Sequence, residues 1–363
     1  MSKETAVVLE RYTGNPILLP QKDSAWQSLN VSNAAATVHD GKVVLLYRAE
    51  GEDRRRGPQS WPVTRLGLAV SENGFDISER RTLPVFDRSL EDPWLEFGCE
   101  DPRISKIGDT YYIVFVGMSR FGHFGDRLQW ATTKDFQTFE RHGLLMPQLE
   151  QRTSGLLPAK IKDEFLLFHR PMPNMWLSRS RDLKSWHDSQ CIFETRPGTW
   201  YENKLGIGAP PLPTPYGWLL FWHGKNNKNE YALGIMLLDR ENPGKILKVQ
   251  EEPVLRCEMP YEKEGFVPNV VYTNGAVEFN GRFFVYYGCC DRCLSVATVE
   301  VDQFTGGAGR YQFMLAQDAA VRRTKLNHQL LFGVMRNECN RHPLPSPLPK
   351  RLERFFKKVL CLK

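Results

Sequence analysis

The apolar positions of this chain fall in short runs. VVLLY begins at Val43, YYIVFV at Tyr111, FLLF at Phe165, WLLFW at Trp218 and FFVYY at Phe283. Each run is rich in β-branched and aromatic residues, is bounded by Gly, Asp or Asn, and is too short for a helix, which is a strand signal. A second run follows each after a variable loop: RLGLAV from Arg65, RLQWATT from Arg127, MWLSRS from Met175, YALGIMLL from Tyr231 and CLSVATVEV from Cys293. Several second runs close in one kind of turn, SENGF, TKDFQTF or SRDLKSW. Asp or Asn suits such a turn, and the aromatic after it can cover the edge of the unit. Counted from the turn residues Gly41, Gly108, Lys162, Tyr216 and Asn280, the unit occurs five times at intervals of 54 to 67 residues. That pattern predicts an all-β chain folded as a five-bladed β-propeller. An immunoglobulin-like sandwich is the rival, but it has no need of one strand pair repeated five times.

Each first run ends in polar residues: Arg48, Ser119, His169 with Arg170, His223 and Asp291. If these runs line the central channel, their ends converge on one face. Arg48, Arg170, His223 and nearby Lys204 would then make one basic pocket. The alternative is that they are ordinary solvated strand ends.

Composition narrows the class. Of 363 residues 41% are hydrophobic and 25% charged, as in soluble globular proteins. No apolar run approaches the roughly 20 residues of a membrane helix. The opening MSKETAVVLERYTGNP has no apolar stretch of signal-peptide length, so a cytoplasmic protein is expected. The net charge of +6 is unevenly spread: Thr305 to Lys363 holds twelve Lys or Arg against three Asp or Glu, and the other 304 residues carry −3. The main domain is therefore no nucleic-acid binder. The expected division is a propeller over 1–304 and a basic extension over 305–363. Within the extension AQDAAVRRTKLNHQLLFGVM suits a helix and HPLPSPLPK an extended spacer, while RLERFFKKVLCLK is basic and amphipathic. That last piece could lie on an anionic membrane, dock on another subunit or stay disordered. The eight cysteines lack zinc-site spacing. Their one cluster, Cys289, Cys290 and Cys293, reads as packed free thiols, so no metal is expected.

The candidate chemistry centres on Gly98-Cys99-Glu100-Asp101-Pro102-Arg103. Pro102 should hold Asp101 extended, and Arg103 could grip a carboxylate. Cleaving a glycosidic bond needs a carboxylic acid to protonate the leaving oxygen. A turn stabilised by an Asp–Arg pair would look the same. Trp61, Trp94, Trp200, Tyr201 and Trp222 are candidate sugar platforms or inter-blade core. Arg54, Arg55 and Arg56 border an acceptor site or belong to a solvated loop.

The segments YRAEG, GCEDPRI, KLGIGAPPLPTPYGWLLFWHG, GFVPNVVY and YYGCCD occur in this order between about Asn15 and Phe304. They resemble glycoside hydrolase family 130, the β-mannoside phosphorylases and related β-mannosidases. The resemblance implies a five-bladed propeller and inverting phosphorolysis, in which inorganic phosphate, a co-substrate and not a cofactor, attacks a β-mannosyl unit to give α-mannose 1-phosphate. It implies that Asp101 is the general acid, acting through the mannose 3-hydroxyl. It makes Arg48, Arg170, Lys204 and His223 the phosphate contacts, and Asn33, Arg103, Asp291 and Glu264 the sugar contacts. Arg suits a two-pronged grip on phosphate oxygens and Lys a point charge. It also makes self-association an open possibility. Within the family the rival is a β-mannosidase, which needs a carboxylate base that Glu202, Glu262 or Glu264 could supply. A non-catalytic glycan-binding propeller is the rival from another class. Linkage and acceptor stay open.

Overall fold

Five antiparallel sheets form the blades of a propeller in a computed structural model that describes residues 6–55, 62–121 and 125–301. Trp61, Arg56 and the basic extension lie outside the described residues, and only the backbone of Arg54 and Arg55 is described. No helix among the described residues is long and apolar enough to cross a membrane.

The runs that mark the sequence are not the channel-lining strands. Lys42–Arg55, Thr110–Gly117, Phe165–His169, Gly217–Lys225 and Arg282–Cys289 are the second strands of their blades. The innermost strands precede them: Asn30–His39, Cys99–Ile107, Ser154–Leu156, Lys204–Ile207 and Val271–Phe279. These five meet one another across the ring. The expectation about the channel is corrected accordingly, because being buried on two sides makes the second strand the most apolar one and hence the most visible.

Each pair of neighbouring blades encloses its own core. Leu46, Leu66 and Phe86 pack on Ile113 and Phe115 between blades 1 and 2. Phe168 and Leu177 pack on Trp222 and Leu220 between blades 3 and 4. Phe221 and Leu233 pack on Phe283 and Val285 between blades 4 and 5. The ring closes through the N-terminal strand Glu10–Arg11, which pairs with Cys293–Glu300 as the outer strand of blade 5.

The repeated turns take the expected form. Asn73 Oδ1 accepts the N–H groups of Phe75 and Asp76, Asp135 Oδ1 those of Gln137 and Thr138, and Asp182 Oδ1 those of Lys184 and Ser185. Asp239 does the same in blade 4 with Glu241 and Asn242. Each side chain imitates a backbone acceptor, fixing the hairpin without a further strand bond.

Candidate active site

Three innermost strands bulge at matching places. Their pairing with the second strands slips between Ser32 and Ala35, between Glu100 and Arg103, and between Thr273 and Gly275. The slips release Asn33, Asp101 and Asn274 from the ladder, as a bulge does when it re-aims a side chain. Asp101 has φ +50° and Asn33 φ +48°. The extended backbone expected before Pro102 is therefore not what forms: the bulge puts Asp101 in the left-handed region, which Asp tolerates better than most residues. Gly288 makes room for this, since a Cβ there would lie 2.1 Å from Asn33 Oδ1.

Asp101 sits in an acidic nest around one arginine. Asn33 Nδ2 donates to Asp101 Oδ1 at 2.9 Å and Arg48 Nη1 at 3.3 Å. Arg48 also pairs with Asp291 at 2.7 Å, and Glu50 and Glu100 lie at 3.8 and 3.9 Å from its guanidinium. Burial opposes the charge on Arg48, but the four carboxylates together hold its pKa well above the ordinary arginine value. In Asp101 burial wins instead: with help from Glu100, it raises the pKa against the pull of Arg48, Arg103 and Asn33. A carboxyl so placed keeps its proton to higher pH than a free aspartate, as a general acid must.

Arg103 lies behind this nest. It is 1% exposed, donates through Nη1 to the Asp101 carbonyl at 3.0 Å, and reaches Gly208 O and the Tyr272 hydroxyl at 3.1 Å. It ties blade 2 to blades 4 and 5 and fixes the Asp101 backbone. Its guanidinium is thus spent on protein partners, where the resemblance implied a sugar contact. Glu264 stands apart: exposed at the end of the short helix Pro260–Lys263, its carboxylate makes no hydrogen bond or ion pair.

A basic group faces the nest. Arg170 Nη1 donates to His223 Nε2 at 3.0 Å, both side chains being buried. Burial first, then Arg170, Arg103 and Lys204, push the His223 pKa well below its ordinary value. His223 is therefore a neutral acceptor that orients Arg170, and the cationic histidine expected for the basic pocket does not form. Lys204 lies over the Tyr231 ring at 5.4 Å. Burial, then Arg170, Lys225 and Arg152, bring its pKa down to about 7. Asp291 acts on Lys204 as well as on Arg48, so it stands between the two groups.

His169, adjacent to Arg170, turns into the core between Gln151 and Ser178, and burial lowers its pKa to about 3. Ser119 folds into its own turn, its N–H on Asp126 Oδ1. Trp222 is core, and Trp94 packs against Arg127 and Phe121. Glu262, one of the three carboxylates a hydrolase could use, is fully buried. It accepts from Arg11, Tyr287 and the N–H groups of Glu258 and Met259. Glu202 accepts only backbone N–H groups, of Gly198 and Asn227.

Four further residues adjoin the site that the sequence did not single out as site residues. Arg152 pairs with Asp126 and lies 3.8 Å from Glu100. Glu150, two residues earlier, has its pKa pushed up to about 7 by burial, against Arg152, Arg127 and Arg170. Tyr231 and Tyr272 form the floor, with Tyr272 bonded to Arg103 and Thr153. Glu150 and Arg152 lie in the loop before Ser154–Leu156, where no repeat position marks them, while Tyr231 opens a repeated run and Tyr272 ends the GFVPNVVY segment on an inner strand.

The arrangement sets an acid with a raised pKa and a separate cationic group on either side of Asp291. The chain matches the β-1,4-mannooligosaccharide phosphorylase family over residues 3–305. It is 36% identical over 303 residues to a 1,2-β-oligomannan phosphorylase of Thermoanaerobacter sp. (strain X514), covering 81% of this chain and 98% of that one. Among solved structures it is similar to a β-1,2-mannobiose phosphorylase from Listeria innocua, in complex with β-1,2-mannobiose. There the TM-score is 0.73 at 25% identity, over 82% of this chain and 98% of that one. A structure from work on family 130 glycoside hydrolases that target β-1,2-mannosidic linkages in Candida mannan matches with a TM-score of 0.74 at 26% identity. That match covers 83% of this chain and 96% of that one.

Proposed function

Since the chain belongs to glycoside hydrolase family 130, we propose that it is an inverting β-mannoside phosphorylase. It transfers a terminal mannosyl unit to inorganic phosphate. The observation that carries this reading is the division of the site into an acid with a raised pKa, Asp101, and a separate cationic group, Arg170 with Lys204. A phosphate oxygen bonds to the anomeric carbon from the basic side while the glycosidic C–O bond breaks on the other. The proton of Asp101 reaches the leaving oxygen by way of the mannose 3-hydroxyl. Asn33 and Arg48 then stabilise the carboxylate that is left, and Arg103 keeps its backbone in place. Phosphate is already a nucleophile, so no second carboxylate is required.

The 36% relative acts on β-1,2-linked mannan, which makes β-1,2-mannobiose and its longer homologues the first substrates to try. Hydrolysis is the second reading, favoured by the similar structure from the mannan-hydrolase work. Against it, Glu262 is locked in a structural network and Glu202 faces backbone donors.

One assay separates the readings. The protein is incubated with β-1,2- or β-1,4-mannobiose, with and without phosphate. Mannose 1-phosphate that forms only with phosphate is the expected outcome. Free mannose at equal rate without phosphate would establish a hydrolase, and no turnover of any β-mannoside would leave a binding propeller.

A further inference from the structure

A second pocket opens beside the site, on the loops that carry blade 4. Its volume is about 490 Å³, within the range of small-ligand sites. It shares two strand ends with the basic group: Glu202 lies two residues before Lys204, and Asn226 directly follows Lys225.

The floor of this pocket is an aromatic plate with a fixed orientation. Trp200 stacks on the core residue Trp222, ring centroids 4.5 Å apart and tilted by 22°, and its Nε1 donates to the Glu251 carbonyl at 2.8 Å. It is half-buried and lines the cavity. Ringing it are polar side chains that are also held. Glu202 is pinned by the N–H groups of Gly198 and Asn227. Arg196 pairs with Glu251 at 3.6 Å and Arg256 with Glu252 at 2.9 Å.

The charges decide the ligand class. Arg196, Lys228 and Arg256 are balanced by Glu202, Glu251 and Glu252. A lining with no net charge offers nothing to an anion, unlike the group around Lys204. A flat apolar surface ringed by alternating donors and acceptors suits a neutral polyol, whose ring has an apolar face and a hydroxyl rim.

We propose that this pocket is a sugar-binding site outside the catalytic channel, holding a mannosyl residue of an oligosaccharide longer than a disaccharide. The choice of mannosyl rests on the phosphorylase reading above; the neutral-sugar class does not. A site there retains polymeric or oligomeric substrate near the channel without touching the bond that breaks.

The test uses the full-length protein carrying Asp101→Asn, so that ligand is not consumed, titrated calorimetrically with β-1,2-mannotetraose and β-1,2-mannobiose. Adding Trp200→Ala should weaken tetraose binding about five- to tenfold, the scale of one lost aromatic contact. Mannobiose binding should change by less than about twofold on the same reasoning, because the disaccharide is held in the channel alone. Since Trp200 packs on Trp222, Arg196→Ala with Arg256→Ala is the parallel variant, altering the rim without disturbing the stack. The same selective loss is expected of it. Equal losses for both ligands, or none for either, would overturn the second site. In the protein with Asp101 intact, absence of any phosphate-dependent turnover would sink the phosphorylase reading separately, while a tetraose-selective loss would still support the pocket.

Discussion

The two halves of the channel mouth use arginine in opposite ways. Arg48 is enclosed by four carboxylates, and its charge is already answered by the protein. Arg170 has for its hydrogen-bonded neighbour a neutral histidine, and close by a lysine whose pKa burial and neighbouring cations have brought down to about 7. The first half is a finished ion network that sets the state of an acid. The second is an excess of positive charge awaiting an anion. Family pattern groups Arg48 with the phosphate contacts. The geometry makes Arg48 first a partner of Asp101 and Asp291, so in the function proposed above phosphate falls chiefly to Arg170 and Lys204.

The largest effect should come from the acid. Asp101→Asn should lower phosphorolysis by about 10²- to 10⁴-fold, the usual worth of a general acid, with the thermal unfolding midpoint nearly unchanged. An active variant would dissolve the distinction between the halves.

Next, the two arginines should fail differently. Arg170→Ala should raise the KM for phosphate by about 10- to 100-fold, as for one lost charge-assisted bond, with the fold intact. Arg48→Ala leaves Glu50, Glu100, Asp101 and Asp291 crowded together without the arginine between them and should cost about 3–5 kcal/mol of stability. Phosphate kinetics and melting curves on both variants test this. If Arg48→Ala folds normally and loses only phosphate affinity, the family grouping is right and the division proposed here is wrong.

A smaller effect is pH-dependent. Lys204 must be charged to hold phosphate, and in the free protein its pKa is about 7. Below pH 7 it is already protonated and adds no pH dependence. Above pH 7 phosphate binding has to recruit a proton, so affinity should fall by up to about tenfold per pH unit. Lys204→Met should weaken phosphate binding at pH 6, make little difference at pH 8.5, and remove this component of the pH profile.

The smallest effect concerns Lys225. Its ammonium donates to Asn229 at 2.7 Å and is partly exposed. Lys225→Met should change the KM for phosphate by less than about threefold, the scale of a solvent-screened charge.

The sequence showed the second strands because they are sandwiched between other strands and are almost wholly apolar. It hid the inner ones. Ser154–Leu156 and Lys204–Ile207 are three and four residues long, too short for any period to show. The other three inner strands are broken by bulges that disrupt the alternation of in and out. Asp101, Arg48, Arg170 and His223 were legible as residues by their place in repeats and motifs. Their states were not. That His223 is neutral, that Arg103 faces protein, and that Asp101 has a left-handed backbone all follow from burial and cross-blade contacts. A one-dimensional pattern holds neither. Glu262 and Glu264, two residues apart, read alike in the sequence, yet one is the most enclosed carboxylate of blade 5 and the other is exposed at a helix end.

The strand Glu10–Arg11, which precedes blade 1 in sequence, is the outer piece of blade 5. Arg11 bonds Glu262 across 251 residues of chain, and Glu262 in turn holds Tyr287, on the strand that leads to Asp291. Ends of domains are usually expendable; here Glu10–Arg11 is tied through Glu262 to the strand that leads to Asp291. Blade 5 therefore cannot be completed until both Glu10–Arg11 and Cys293–Glu300 have been synthesised, so a growing chain can build its first four blades but holds the strand that leads to Asp291 in place only when the ring closes.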